Sequence, residues 1–291
     1  MIDGDIENRV VQTLPWVLQL AYSMQKNGIR GGYFLEAVAR SKGWLNVLVR
    51  RELSRGVKVD IPAYEDSYDL DDVSNYEREL IELLGSHLSG KDEPLLLLDC
   101  GADLGLFAAL LVSSCERIQK VIAFEPNRRS FRLLEHNLNM LPMEAEARNA
   151  AVADFNGKGK LKYPPHDLHD HAAFIVSSEC GDIPVVKLDD LGLPRNYHIV
   201  LKIDVEGGEL AVIRGAMETL SSSPGFTVVF EAHRDQVRRT GIEPMEIVSL
   251  LQMIRPCQIK VAEEPDIRLD MSRPFFEQLQ GRIYNICAFS S

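Results

Sequence analysis

The sequence predicts an α/β protein: a Rossmann-like, doubly wound sheet of seven strands, preceded by an all-helical N-terminal extension. Three observations predict it. After Pro94, short apolar runs alternate with amphipathic stretches, and glycine-bearing turns follow two of those runs. Before it, apolar side chains recur at three- and four-residue steps.

The extension covers residues 1–90, with apolar positions at Val10, Leu14, Val17 and Leu20 and again at Leu35, Val38, Leu45 and Leu48. Trp16, Tyr22, Tyr33, Phe34 and Trp44 either fill its core or line a pocket, and core filling is the commoner fate of aromatics at helical spacing. The acidic stretch Glu65, Asp66, Asp69, Asp71 and Asp72 reads as a solvated loop. Ser74-Asn75-Tyr76-Glu77 then supplies a capping box for a helix to about His87. The whole extension is expected to cap the active site, to form a homodimer contact, or both.

The second domain, 91–291, is expected to place strands at Leu95–Asp99, Val121–Glu125, Ala147–Val152, Ile199–Asp204, Phe226–Glu231, Gln258–Glu263 and Ile283–Phe289. Helices are expected at about 105–114, 127–140, 208–220 and 243–254. An insertion at about 154–196 reads as a hairpin around Gly157-Lys158-Gly159 and a further strand at Ile183–Leu188.

Composition narrows the function classes. The 291 residues, 45% apolar, suffice for one catalytic-sized core and an appendage. The formal charge of -11 repels phosphate backbones and anionic lipid over most of the surface, so neither nucleic acid nor membrane is an expected partner. No run approaches the roughly 18 apolar residues of a membrane span, and the first residues lack the basic start and apolar run of a signal peptide. Five scattered cysteines, Cys100, Cys115, Cys180, Cys257 and Cys287, fit reduced thiols in a cytoplasmic protein.

The chemistry is concentrated at the outgoing ends of strands. The first strand runs into Asp99-Cys100-Gly101-Ala102-Asp103-Leu104-Gly105 and at once into a helix, a turn that presents backbone N–H groups to an anionic or polar ligand. A plain tight turn would look the same, so the next strand matters. It ends in Phe124-Glu125-Pro126, which sets a carboxylate where it can accept both hydroxyls of a ribose. A dinucleotide site would add a third glycine beside the pyrophosphate. Here that region holds Ala102, Asp103 and Leu104, so a nucleoside without pyrophosphate, such as S-adenosylmethionine, fits better.

A later strand ends in Lys202-Ile203-Asp204-Val205-Glu206-Gly207-Gly208-Glu209, two carboxylates and two glycines at a helix start. Asp204 and Glu206 are the first candidates for a general base, a cofactor contact or ligands of a divalent cation that orients the acceptor. Lys202, two positions before Asp204, shares its face and is placed to pair with it. Glu231-Ala232-His233 closes the following strand at the same edge of the sheet, within reach of the acceptor for either Glu231 or His233, and His233 is a candidate acid or base, or a surface histidine. His166, Asp167, His169, Asp170 and His171 in the insertion read as a metal site, an acceptor-facing lid or a solvated loop.

With these motifs in order, residues 76–290 resemble the FkbM-type S-adenosylmethionine-dependent methyltransferase family, whose hallmark is a strand ending in a Lys-Ile-Asp-Val-Glu-Gly string. Further matches are the Asp99–Gly105 turn, Glu125-Pro126-Asn127, Asn149-Ala150-Ala151-Val152, Leu188-Asp189-Asp190 and Phe230-Glu231. One position departs: the family usually carries asparagine where this chain has Asp103. The resemblance implies a class I methyltransferase sheet and S-adenosyl-L-methionine held by Asp99, Gly101, Ala102, Asp103, Gly105, Glu125, Pro126, Asn127, Ala151 and Asp204. It also implies methylation of a hydroxyl on a sugar, polyketide or other small metabolite. Two rivals stay open on the residues alone, a nicotinamide-dependent oxidoreductase and a non-catalytic nucleoside-binding protein.

Overall fold

The computed structural model describes residues 9–44, 46–63, 70, 72–162 and 174–290. Its packing divides the chain between Arg78 and Glu79, ahead of the expected boundary near residue 90.

In the first unit the expected helical part is present as α1 (Trp16–Lys26) and α2 (Gly32–Ser41). The two helices come so close that a Cβ on Gly32 would lie 2.7 Å from the Ala21 carbonyl oxygen. The unit is not helical throughout, however. β1 (Arg9–Val11), β2 (Val47–Glu52) and β3 (Lys58–Pro62) form a three-stranded sheet in that order. Across it Arg50 Nε and Nη2 donate to the two carboxylate oxygens of Asp60 at 2.8 and 2.7 Å, a paired geometry aligned by the β2–β3 register. A six-residue run is too short for its apolar spacing to separate helix from strand, which is why the sequence reading missed β2.

The aromatics also differ from expectation. Trp16 is 76% exposed, Tyr33 76% and Phe34 70%, and Trp44 is exposed as well; Leu18, Ala21, Val49 and Ile61 are the buried residues instead. Glu65, Asp66, Asp69 and Asp71 lie outside the described residues. The capping box does not form: the Ser74 hydroxyl donates to Asp72, Glu77 takes a left-handed φ of 46°, and α3 (Arg78–Leu88) begins directly after it.

The second unit contains a seven-stranded sheet. Its strands are β4 (Leu95–Cys100), β5 (Ile118–Phe124), β6 (Glu144–Arg148), β11 (His198–Ile203), β12 (Phe226–His233), β13 (Cys257–Val261) and β14 (Ile283–Ser290). They stand in the order β13-β14-β12-β11-β4-β5-β6, and only β14 runs antiparallel to its neighbours. Leu95, Leu96, Leu97 and Leu98 are fully buried, as expected of a central strand covered on both faces. The chain winds outward from β4 through β5 to β6 and then returns to β11 on the other side. This reversal opens a crevice past the carboxyl ends of β4 and β11.

Besides α3, the helices of this unit are α4 (Leu106–Ser114), α5 (Arg128–Leu138), α6 (Glu209–Arg214), α7 (Met217–Ser222), α8 (Arg234–Thr240), α9 (Pro244–Ile254) and α10 (Phe275–Gln278). The helix expected at 208–220 is therefore two helices. They part at Gly215, where a Cβ would lie 2.2 Å from the Ala153 carbonyl oxygen. The third expected strand is likewise two: β6 ends at Arg148, and β7 (Ala151–Val152) belongs to a second sheet with β8 (Gly157–Lys162), β9 (Phe174–Ser177) and β10 (Ile183–Val186), ordered β7-β10-β8-β9. Gly157, Lys158 and Gly159 thus lie within strand β8 and make no hairpin turn. This small sheet fastens to the α6–α7 break at both its stems. Ala153 sits against Gly215, and the Asp189 amide donates to the Gly215 carbonyl while the Asp189 carboxylate accepts from the amides of Glu218 and Thr219. The loop His166–His171 lies outside the described residues.

Candidate active site

β4 delivers a turn in which Gly101, Asp103 and Gly105 all have left-handed backbone, φ 81°, 46° and 86°. Gly101 is required by crowding as well as by φ, because its Cβ would lie 1.8 Å from the carbonyl oxygen of Asp204. The Asp204 amide donates to the Cys100 carbonyl at 2.9 Å, so the turn and the end of β11 are stitched together. On the far side of the turn the buried Asn137 amide donates to the Leu104 carbonyl at 2.8 Å.

Glu125 follows β5 and is 7% exposed. One of its carboxylate oxygens accepts from the Asp103 amide at 2.9 Å and the other from the Asn127 amide at 2.7 Å. Burial pushes this carboxyl up to about 8; the two amides oppose the shift, while the nearby charges of Asp103 and Asp99 add to it. Asn149 holds the same segment by donating to the carbonyls of Glu125 and Pro126 at 2.8 and 3.2 Å. Asn127 caps α5 by accepting from the Arg129 amide at 2.9 Å. Asp99 is 1% exposed and is paired in register with Lys202. Ala102 is buried within the turn.

The end of β11 gathers the second group. Lys202 is 2% exposed, lies 5.4 Å from the Phe107 ring centre, and donates to Asp204 at 3.2 Å, as its spacing on the strand predicted. Glu206 has φ 56°, a strained conformation for glutamate. Its carboxylate accepts from Gln236 Nε2 at 3.0 Å and its carbonyl from Arg239. Burial and then Asp204 push Glu206 up to about 7. Glu209, also buried, accepts from the Gly207 amide at 2.8 Å and is raised to about 7, chiefly by burial. Glu231 lies on β12 one step past the Ile203–Phe230 pair, which sets it alongside Asp204. Burial first and the Asp204 charge second raise it well above the usual carboxylate range, against the pull of Lys202.

His233 is two residues farther along β12, and its ring Nδ1 accepts from the Asp235 amide at 3.1 Å, capping α8. Burial lowers its pKa. Ala151 packs with Ala153 and Val185 in an apolar cluster of the small sheet and is not drawn into the carboxyl group. Among the described residues no cluster of three or more His, Cys, Asp or Glu side chains is arranged to hold a metal ion.

Sequence reasoning missed Glu209, Gln236 and Arg239. Gln236 and Arg239 sit on α8, a seven-residue helix too short to leave a periodic signature. Glu209 stood in the quoted motif, but its burial was not legible there.

Residues 99–258 match the family described as the methyltransferase FkbM domain. A curated relative, hexuronic acid methyltransferase AglP of Haloferax volcanii, is 24% identical over 229 residues, which cover 75% of this chain and 88% of that protein. A solved methyltransferase FkbM from Methylobacillus flagellatus is 18% identical, with a TM-score of 0.43 over 68% of this chain and 43% of that one. The chain thus spans less than half the length of that structure. A SAM-dependent O-methyltransferase from Thermotoga maritima is 16% identical, with a TM-score of 0.40 over 84% of this chain and 77% of that one.

Proposed function

Because the chain belongs to the FkbM methyltransferase domain family, we propose that it transfers the methyl group of S-adenosyl-L-methionine to a hydroxyl oxygen of a carbohydrate. One observation carries the reading. At the switch point of the sheet, a glycine turn with no room for a side chain abuts Asp204, beside the half-buried carboxyls of Glu206 and Glu231.

These residues suit the cofactor. It is cationic at sulfur and at its amino group, and carboxylates in a partly dry crevice are strong counter-charges. Glu125 spends one lone pair of each oxygen on a backbone amide and keeps others for ribose hydroxyls. The Asp103 amide is committed to Glu125, so it is not available to a pyrophosphate, which weighs against a dinucleotide. When bound, S-adenosylmethionine supplies an electrophilic methyl carbon and a neutral leaving group.

The chain's own residues would then divide the work. Gly101, Ala102, Asp103 and Gly105 form the cradle, and Glu125, with Pro126 and Asn127, holds the ribose side. Asp204, fixed by Lys202, stands as a negative charge near the sulfur, and Glu206 lines the same space. The acceptor oxygen must be held about 3 Å from the methyl carbon and must lose its proton to a neighbouring carboxylate. His233, with Nδ1 already engaged, offers only Nε2 to the acceptor.

The carbohydrate class rests on the curated relative, named for a hexuronic acid. Our reading keeps nucleic acid outside the partners on the ground of the -11 charge, and it includes a cytoplasmic location and a dimer through the N-terminal unit. No described helix is long and apolar enough to cross a membrane. The test has two arms: calorimetry with S-adenosylhomocysteine against NAD, and mass spectrometry of a panel of neutral and acidic sugars after incubation with S-adenosylmethionine. Binding of the homocysteine nucleoside with gain of one methyl on a sugar is expected, and NAD binding with no response to the nucleoside overturns the reading.

A further inference from the structure

The four carboxyls at the ends of β11 and β12 are not equivalent. Asp204 is held by Lys202, Glu206 by Gln236 and Glu209 by the Gly207 amide. The Glu231 carboxyl makes no hydrogen bond or ion pair with any described residue.

A second observation lies directly opposite it. Asn285 on β14 is the register partner of Glu231 and is 8% exposed. Its Nδ2 donates to Glu263 Oε1 at 3.0 Å, and its backbone amide donates to the same carboxylate, whereas its Oδ1 is buried and has no partner among the described residues. Glu263 follows β13, on the far side of β14. The Asn285 amide nitrogen is thus spent on Glu263, and the Glu231 carboxyl, in register beside Asn285 and alongside Asp204, has no donor among the described residues.

We propose that Glu231 is the group that takes the acceptor's proton, and that it is brought into its ionised, receptive form by the arrival of the positively charged methyl donor. This rests on the methyltransferase reading above. The groups facing Glu231 are Asp204 and Lys202 from β11, Glu206 and Glu209 from the segment after it, and Glu263 beyond Asn285. Burial first, and then Asp204, Glu206 and Glu209 against one ammonium already engaged by Asp204, favour the protonated form of Glu231 until another cation enters.

The balance closes over one cycle. Glu231 gives its proton to solvent as the sulfonium enters. An oxygen lone pair of the acceptor then forms the bond to the methyl carbon, the carbon–sulfur bond breaks with its pair going to sulfur, and the hydroxyl proton passes to Glu231. Glu231 ends protonated, as it began, and faces a neutral thioether.

The proposal is tested without any acceptor by calorimetry on the full chain at pH 7. S-adenosylmethionine and S-adenosylhomocysteine, which differ by the sulfonium charge, are titrated in phosphate and in Tris so that proton exchange can be counted. Wild type is expected to release about one proton more with the sulfonium ligand than with the thioether, and Glu231→Gln to bind both with that difference gone. Should the variant fail to fold, the wild-type difference measured from pH 5 to pH 10 decides, since it is expected to peak and then vanish once Glu231 is ionised without ligand. Equal proton counts for the two ligands at every pH, or a difference that persists in Glu231→Gln, overturn the proposal. Binding of neither ligand overturns the methyltransferase reading instead.

Discussion

The carbonyl oxygen of Asp204 occupies the place that a Cβ on Gly101 would need, 1.8 Å away. This single approach joins the two strands that flank the crevice, and it ties the glycine turn to the carboxyl cluster.

Gly101→Ala should therefore part the strands as well as strain the turn. We expect a loss of about 2–4 kcal/mol of stability together with loss of S-adenosylhomocysteine binding. Gly105→Ala is the control, because its Cβ meets only the end of the Leu134 side chain at 2.9 Å. Denaturant midpoints that shift equally for the two variants would refute this account of Gly101.

Glu125→Ala removes the acceptor of two backbone amides and, on our proposal, of the ribose hydroxyls. With Glu125 ionised above pH 8, a hydrogen bond to it is worth about 1.5–3 kcal/mol, so at pH 9 affinity for S-adenosylhomocysteine should fall by about 10- to 100-fold. Calorimetry measures it, and unchanged affinity would remove Glu125 from the site.

Gln236→Leu withdraws the donor that favours ionised Glu206. Glu206 then rises beyond about 7 and resists ionising. Relative to wild type, the variant should be destabilised by about 1 kcal/mol more at pH 9 than at pH 5. Urea unfolding at the two pH values tests this, and a pH-independent difference would mean that Gln236 acts through packing alone.

Stability without ligand should depend on pH in a defined way. Glu125 at about 8 and Glu206 and Glu209 at about 7 lie above the usual carboxylate value of 4.5, so their contribution is complete below 4.5 and is lost as pH rises through 7 to 8. His87, which packs on Phe289, and His198, which meets the Thr227 hydroxyl at 3.0 Å, are lowered by burial to about 4 and about 3. Their contribution is complete above 6.5 and is lost as pH falls toward those values. Thermal scans should show the melting temperature of the ligand-free protein falling from pH 5 to pH 9, and a flat or rising profile would contradict these shifts.

Much of the second unit was legible in the sequence because its signals are strong and local. An apolar run such as Leu95–Leu98 that opens into a glycine-bearing turn reads as a covered strand, and Lys202 and Asp204, two apart on a strand, share a face. The misses have two causes: elements such as Val47–Glu52 and α8 are too short to leave a periodic signature, and Gly215 breaks a helix because Ala153, far away in the chain, is there.

The small sheet leaves and rejoins the catalytic unit at one glycine, with Ala153 and Asp189 both resting on Gly215. Both ends of the segment therefore report on one position, so that a change at Gly215 displaces the small sheet at its entry and its exit together.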